Sequence, residues 1–199
     1  MQETACPAGI VRLNLGCGTN IKTGAGWVNV DMQAGPGVDE TWDLYFPLQS
    51  AHGPETVDEM LLSHVLEHLS EPLLAMQSLW RIAKPDCKLT IRVPHGASDD
   101  AWEDPTHVRP YFLQSFGYFS QPYHWRSRGY GYQGDWQAET VTLWVDKKYV
   151  GIPAPEFFER IQHERNLVKE MVAVLRKVSP IRERRRELIE LPVFDIKAV

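Results

Sequence analysis

No stretch of about 18 consecutive apolar residues occurs among the 199 residues, so the sequence offers no membrane-spanning helix. The amino terminus, Met1-Gln2-Glu3-Thr4, lacks the basic segment and apolar core of a secretory signal, and a soluble, cytoplasmic protein is expected. Cysteine is scarce: Cys6, Cys17 and Cys87 are odd in number, at spacings that fit neither a disulfide framework nor a paired zinc knuckle. A basic surplus is missing as well. The 21 Lys and Arg face 26 Asp and Glu, a balance that argues against a nucleic-acid partner, and no membrane partner is expected either. The one dense basic run, Arg182 to Arg186, reads as a solvated helix face. Repeats and low-complexity tracts are absent. What is plentiful is apolar material, 43% of residues with 7 each of Trp, Tyr and Phe, enough for one globular domain over 1–199.

Residues Ile10 to Leu15 form a branched apolar run that stops at Gly16, the pattern of a buried parallel strand entering a tight turn. Trp27 to Asp31 alternates and ends on an acid. Gly24 and Gly26 weaken any helix between these strands, so that crossover is short or irregular. Val57 to Leu62 is a third strand, running into Ser63 and His64. Ser70 as N-cap, Glu71 and Pro72 start a helix that must end before Pro85, and Pro85-Asp86-Cys87 turns into the strand Lys88 to Val93. Strand, helix and strand at these lengths make a βαβ unit and hence a parallel sheet.

Between 94 and 137 periodicity fails, and the stretch reads as a loop-rich aromatic insertion or lid. Val141 to Val145 resumes as a strand. Glu156 to Val178 carries Phe158, Ile161, Val168, Val172 and Leu175 at three- and four-residue intervals, an amphipathic helix packed on the sheet or forming a dimer face. The region 154–190 is therefore expected to be helical, before a last strand over Pro192 to Val199. The fold class that follows is α/β, a mostly parallel twisted sheet with helices on both faces and an antiparallel last strand.

Leu13-Asn14-Leu15-Gly16-Cys17-Gly18 is the sharpest local feature. Glycines after a strand let a ligand approach the main chain, and Asp31, at the end of the next strand, can accept both hydroxyls of a ribose. Ile21 in place of a third glycine and the early acid speak against NAD, and the absence of GK[ST] excludes a phosphate-binding P-loop.

LNLGCG, NVDM, SHVLEHL and the KPDCKL turn, in this order, resemble the signatures of class I S-adenosylmethionine-dependent methyltransferases, which implies a Rossmann-like fold. With DPTHVR followed by aromatics at Asp104 to Phe112, the chain looks most similar to small predicted bacterial methyltransferases over Ile10 to Phe116. The resemblance implies S-adenosylmethionine as cofactor and S-adenosylhomocysteine as product. It places Gly16, Cys17 and Gly18 against the methionine and ribose, Asp31 on the ribose hydroxyls, Met32 beside the adenine, Asp43 with Leu44 at the adenine edge, and Ser63 with His64 on the methionine side. Asn14 stands where the family often has an acid, Asn20 replaces the third loop glycine, and Cys87 the glycine of the proline turn. Asn14 can still hydrogen-bond a cofactor but supplies no charge to its ammonium group.

Other clusters carry more than one reading. His64-Val65-Leu66-Glu67-His68 spells HxxEH, which on a helix would hold zinc through both histidines for hydrolysis, although the motif directly follows a strand. His95, Asp99, Asp100, Asp104 and His107 could together meet a divalent cation, a count common by chance in a polar loop, and no metal is expected. His107 either takes a proton from an acceptor as general base or, with Asp104 and Arg109, ties down its loop. His95, Asp104, Tyr111, Tyr123, His124 and Trp125 are candidates for the acceptor side, in a segment that equally well fills core. The expected function is methyl transfer to an O or N nucleophile on a small molecule or sugar by a monomer or homodimer. A non-catalytic cofactor-binding or protein-interaction module on the same fold is the alternative.

Overall fold

The computed structural model describes residues 9–44 and 51–199; Met1 to Thr4 and Cys6 lie outside them. The apolar run before Gly16 becomes β1 (Arg12–Leu15), whose Leu13, Asn14 and Leu15 are all buried, as in a central parallel strand covered on both faces. It lies between β2 (Trp27–Asp31) and β4 (Val57–Ser63), parallel to each. The two-residue β3 (Glu40–Thr41) extends one side in parallel, and β5 (Ala83–Pro94) the other. Helix α1 (Pro72–Ile82) links β4 to β5 and buries Pro72, Ala75, Met76, Leu79 and Ile82. Pro72 opens the helix as expected. Its N-cap is Glu71 rather than Ser70, with no side-chain cap, because Glu71 already has the non-helical backbone of the entry.

The sheet is completed by β6 (Trp136–Val145), β7 (Val168–Lys177) and β8 (Val193–Ala198), in the order β3-β2-β1-β4-β5-β7-β6-β8. The antiparallel strand is β7, hydrogen-bonded between β5 and β6, whereas the last strand, β8, runs parallel to β6. The expected helix over Glu156 to Val178 is thus corrected. Only Ala154–Arg160 is helical, as α3, and Asn166 at φ 58° breaks the chain before β7. Met171, Ala173, Leu175 and Lys177 are buried with partly exposed residues between them. That period of two, in a valine-rich segment, prevails over the coincident spacing of three and four. The helical cover is thinner than expected, since neither Gly16 to Gly26 nor Met32 to Asp39 contains a helix.

In place of the first crossover helix stands a buried amide network. Asn14 Nδ2 donates to the Asn20 carbonyl at 2.8 Å and to Asn29 Oδ1 at 2.9 Å. Asn29 in turn accepts from Lys22 N–H at 2.7 Å and donates to Asp39 Oδ2 at 3.0 Å. Between β5 and β6 lie helix α2 (Asp100–Glu103) and single 3-10 turns at Ser115–Phe119, Gln121–His124 and Gly129–Gly131. This segment is anchored by Asp135, fully buried, which takes a two-pronged contact from Arg182, with Nη2 at 2.8 Å and Nε at 2.9 Å. Arg184 reaches Gln121 Oε1 at 2.8 Å and the Arg128 carbonyl at 2.6 Å. Arg182 and Arg184 are therefore fasteners between segments, not part of a solvated helix face. Among the described residues no helix is long and apolar enough to cross a membrane.

Asp135 also accepts the backbone N–H groups of Gln121 and Arg182. Asp135→Ala strands a charged guanidinium and two amides, and should lower unfolding stability by about 3–5 kcal/mol, read as a lower urea midpoint at unchanged slope.

Candidate functional site

Strand order reverses at β1, which is followed by β2 on one side and β4 on the other, and the carboxyl ends of strands at such a point form a natural crevice. A cleft of about 270 Å³ opens there, lined by Gly16, Asp31, Met32, Trp42, Asp43, Leu44, His64, Val65, His68 and Leu69. Six of the residues expected to hold a cofactor converge on it: Gly16, Asp31, Met32, Asp43, Leu44 and His64.

Gly16 turns the chain at φ 64°, and a Cβ there would stand 2.4 Å from Val65 Cγ2. Gly18 also has positive φ, but its absent Cβ faces open space, so a ligand can approach its backbone. The Gly18 N–H donates to Asp31 Oδ2 at 2.8 Å, and Gln33 N–H donates to Oδ1 at 3.1 Å. Two amides thus fix the carboxylate on the cleft rim. Cys17 is buried, and burial, then the neighbouring Asp31 charge, push its thiol pKa up, which makes it a poor nucleophile. Asn14 is not on the cleft, since both hydrogens of its amide are engaged in the network under β1. Cys17, Gly18 and Ser63 also stand outside the lining residues.

His64 ends β4 at φ 56°. Its Nε2 lies 2.8 Å from Glu170 Oε1, and its Nδ1 lies 3.3 Å from Glu67 Oε1. Glu170, then Glu67, push the imidazole pKa up to about 9, so His64 is a cation at neutral pH. Arg92 Nη2 meets the other Glu170 oxygen at 2.5 Å. Two cations and two carboxylates offset one another behind the cleft wall.

The HxxEH residues do not share a helix. A single 3-10 turn, Leu66–His68, follows His64 and swings His68 into the cleft. His107 packs edge-on against His68, ring centres 4.7 Å apart, with its Nδ1 3.3 Å from the Ala101 carbonyl. Asp104 is 3.9 Å from His107 and accepts instead from Thr106, through Oγ1 at 2.6 Å and N–H at 2.8 Å. The five residues His95, Asp99, Asp100, Asp104 and His107 form no common cluster among the described residues, and Asp99 is held by Arg165 and Asn166 at 2.5 and 2.6 Å.

The acceptor candidates disperse. His95 is buried against the edge of Phe112, Tyr111 is buried with its hydroxyl on the Leu66 carbonyl at 3.2 Å, and His124 is buried with Nε2 2.8 Å from the Tyr118 carbonyl. Tyr123 bonds Gln114, and Trp125 lies under the guanidinium groups of Arg126 and Arg186. None of the six candidates lines the strand-end cleft. Trp42, Val65 and Leu69 are cleft residues that sequence reasoning passed over. Trp42 sits directly beside Asp43, and that adjacency was the available signal.

Two substitutions test this geometry. Gly16→Ala collides with Val65 and should cost about 2–4 kcal/mol, whereas Gly18→Ala meets only backbone strain of about 1 kcal/mol, compared by thermal or urea unfolding. Burial drives the pKa of His95 down to about 4 from 6.5, so His95 stays neutral in the folded chain while the unfolded chain binds a proton below 6.5. Its contribution is complete above pH 6.5 and drains away toward pH 4. Between pH 7 and 4.5 the natural chain should lose about 2 kcal/mol more than His95→Gln in parallel urea titrations.

No protein-family model matches the chain, and no curated protein does. Solved structures do. A SAM-dependent methyltransferase from Archaeoglobus fulgidus is 14% identical with a TM-score of 0.59, over 85% of this chain and 87% of that one. An S-adenosylmethionine-dependent methyltransferase from Mesorhizobium loti is 13% identical with a TM-score of 0.51, over 85% and 91%. The cyclase SpnF is 15% identical with a TM-score of 0.51, over 87% and 76%. With the strand order and the strand-end cleft, these likenesses establish that the chain has the fold of the class I S-adenosylmethionine-dependent methyltransferases.

Proposed function

We propose that the chain uses S-adenosylmethionine to methylate an oxygen or nitrogen nucleophile on a small molecule or sugar, leaving S-adenosylhomocysteine. The observation that carries this reading is the convergence of Gly16, Asp31, Met32, Asp43, Leu44 and His64 on one cleft at the strand-order reversal. Its chemistry suits the cofactor. Asp31 offers a fixed carboxylate to a diol, Met32 with Trp42 and Leu44 offers apolar surface to a base, and Asp43 offers an acceptor to an exocyclic amine. The cationic His64 suits a carboxylate, and open space at Gly18 admits ligand atoms against the main chain.

When bound, the cofactor supplies a methyl group already activated by a sulfonium, so the protein's part is alignment and exclusion of water. The segment 94–137 is the proposed lid over the acceptor side. His107 is set back from the cleft and His68 stands on it, so acceptor recognition in this reading belongs to the pair rather than to His107 alone. A specific observation keeps a second reading in view: a protein named as a cyclase shares the fold, so the fold alone does not dictate methyl transfer, and a non-catalytic cofactor-binding or protein-interaction module on the same fold is that second reading.

Calorimetric titration with S-adenosylhomocysteine and, in parallel, NAD tests the reading. Micromolar binding of the first with none of the second is expected. Asp31→Ala should weaken it at least tenfold with little change in melting temperature, and Gly18→Ala should weaken it while the fold persists. Silence toward S-adenosylhomocysteine in a folded sample removes the reading; binding without methylation of any acceptor in a screen favours the second.

A further inference from the structure

Glu67 is 1% exposed, and among the described residues neither of its carboxylate oxygens has an aligned hydrogen-bond donor. Its charge contact with the His64 imidazolium still leaves the buried carboxylate short of hydrogen-bond donors, which is costly. His64 Nδ1 stands 3.3 Å away, near enough for charge but without hydrogen-bond alignment, and His64 makes its shorter contact, at 2.8 Å, with Glu170. On the other side of Glu67 are His68 and His107. One ligand atom from each of the three residues lies within 4.8 Å of the others.

Each ring has its Nδ1 on a main-chain carbonyl, a contact common among metal-binding histidines. His107 Nδ1 faces the Ala101 carbonyl at 3.3 Å, and His68 Nδ1 faces the Thr106 carbonyl at 3.3 Å and the Thr106 hydroxyl at 3.0 Å. A carbonyl at Nδ1 selects the tautomer with the proton on that nitrogen, which places the lone pair on Nε2. The backbone holds the parts together. Val108 and Arg109 N–H groups both donate to the Glu67 carbonyl, at 2.9 and 3.3 Å, clamping the residues after His107 onto the turn that carries Glu67 and His68.

We propose that Glu67, His68 and His107 bind a first-row divalent transition cation at the inner wall of the cleft, with an open coordination position toward the acceptor. Two imidazoles and a carboxylate suit zinc, cobalt, nickel or iron(II) better than magnesium or calcium, and three protein ligands leave a position for an outside oxygen. With metal–ligand bonds of about 2.0–2.1 Å, tetrahedral donors stand roughly 3.3 Å apart, so side-chain movement of about 1 Å closes the site. This departs from the HxxEH reading. Glu67 is itself a ligand, and His107, from a later loop of the chain, takes the place of His64.

The substrate class follows, and here the inference rests on the methyltransferase reading. A cation held there would lower the pKa of an acceptor hydroxyl at the open position; the O–H bond would break with its proton passing to solvent as the oxygen takes the methyl group from the sulfonium, which leaves as the thioether. The site thus favours a hydroxyl acceptor over an amine.

The test uses the full chain, freed of metal with a chelator and titrated with Zn(II) by calorimetry and Co(II) by visible absorption. One equivalent of each should bind, Co(II) giving the d–d bands of a low-coordinate nitrogen and oxygen site. Glu67→Gln, nearly isosteric, and His107→Ala should each weaken Zn(II) binding at least tenfold. Less than 0.2 equivalents (roughly the level of adventitious metal) bound by the unsubstituted chain, or unchanged affinity in both folded variants, overturns the proposal. The titration of the unsubstituted chain decides the matter even if a variant fails to fold. S-adenosylhomocysteine affinity, measured on the same samples, separates the two readings. Zinc bound without it upholds the metal site and removes the methyltransferase assignment, whereas its binding by a chain that takes no zinc overturns the metal site alone.

Discussion

Gly16 has room for a hydrogen and for nothing larger. Its Cα faces the Val65 methyl groups, so the turn after β1 is seated directly on the segment after β4. Every part of the cleft depends on that contact. It brings the two strand ends on either side of the order reversal to packing distance, and sets the height at which Asp31, fixed through the Gly18 amide, stands opposite His64 and His68. A larger residue would have to spread β1 from the Val65 segment or abandon the left-handed turn, and either would open the floor of the crevice.

The surroundings of that contact are built with polar groups where a helix is the usual solution. Asn14, Asn29 and Asp39 hold the chain from Gly16 to Asp39 by hydrogen bonds among side chains and main-chain groups. Each such bond contributes about 1 kcal/mol net, but leaving one unmade inside the fold costs more, so the network fixes one loop path. Asp135 with Arg182 does the same for the aromatic segment. Both supports are charge or amide clusters that hold irregular chain in place.

Four of the five strands from β1 to β5 were legible in the sequence because their signals are local: a branched run stopping at glycine, a proline at a helix start, an acid closing a strand; the two-residue β3 carries no such signal. The lining of the strand-end cleft was legible for the same reason, since Asp31 closes a strand and Gly16, Asp43 and His64 each follow one. Beyond β5 the deciding forces are long-range. Val168 to Lys177 satisfies both helical and strand spacing over its apolar positions, and only the slot between β5 and β6 makes it a strand. Arg182 looked solvated because its partner lies 47 positions away. His95, Tyr111 and His124 drew notice for their chemistry, and the structure buries all three, each with a main-chain hydrogen-bond partner that the sequence does not announce.

The last strand carries a consequence of its own. β8 pairs only with β6 among the described residues, so one row of its main-chain donors and acceptors forms the border of the sheet. Val193, Asp195 and Lys197 occupy its exposed positions, and Pro192 precedes it. A border that ran on with valines would offer a template on which a neighbouring chain could add a strand; the alternating charges and the proline interrupt that template. Colloidal behaviour in concentrated solution is accordingly written in two side chains: neutralising Asp195 and Lys197 together would leave the interior untouched and turn a guarded border into an adhesive one.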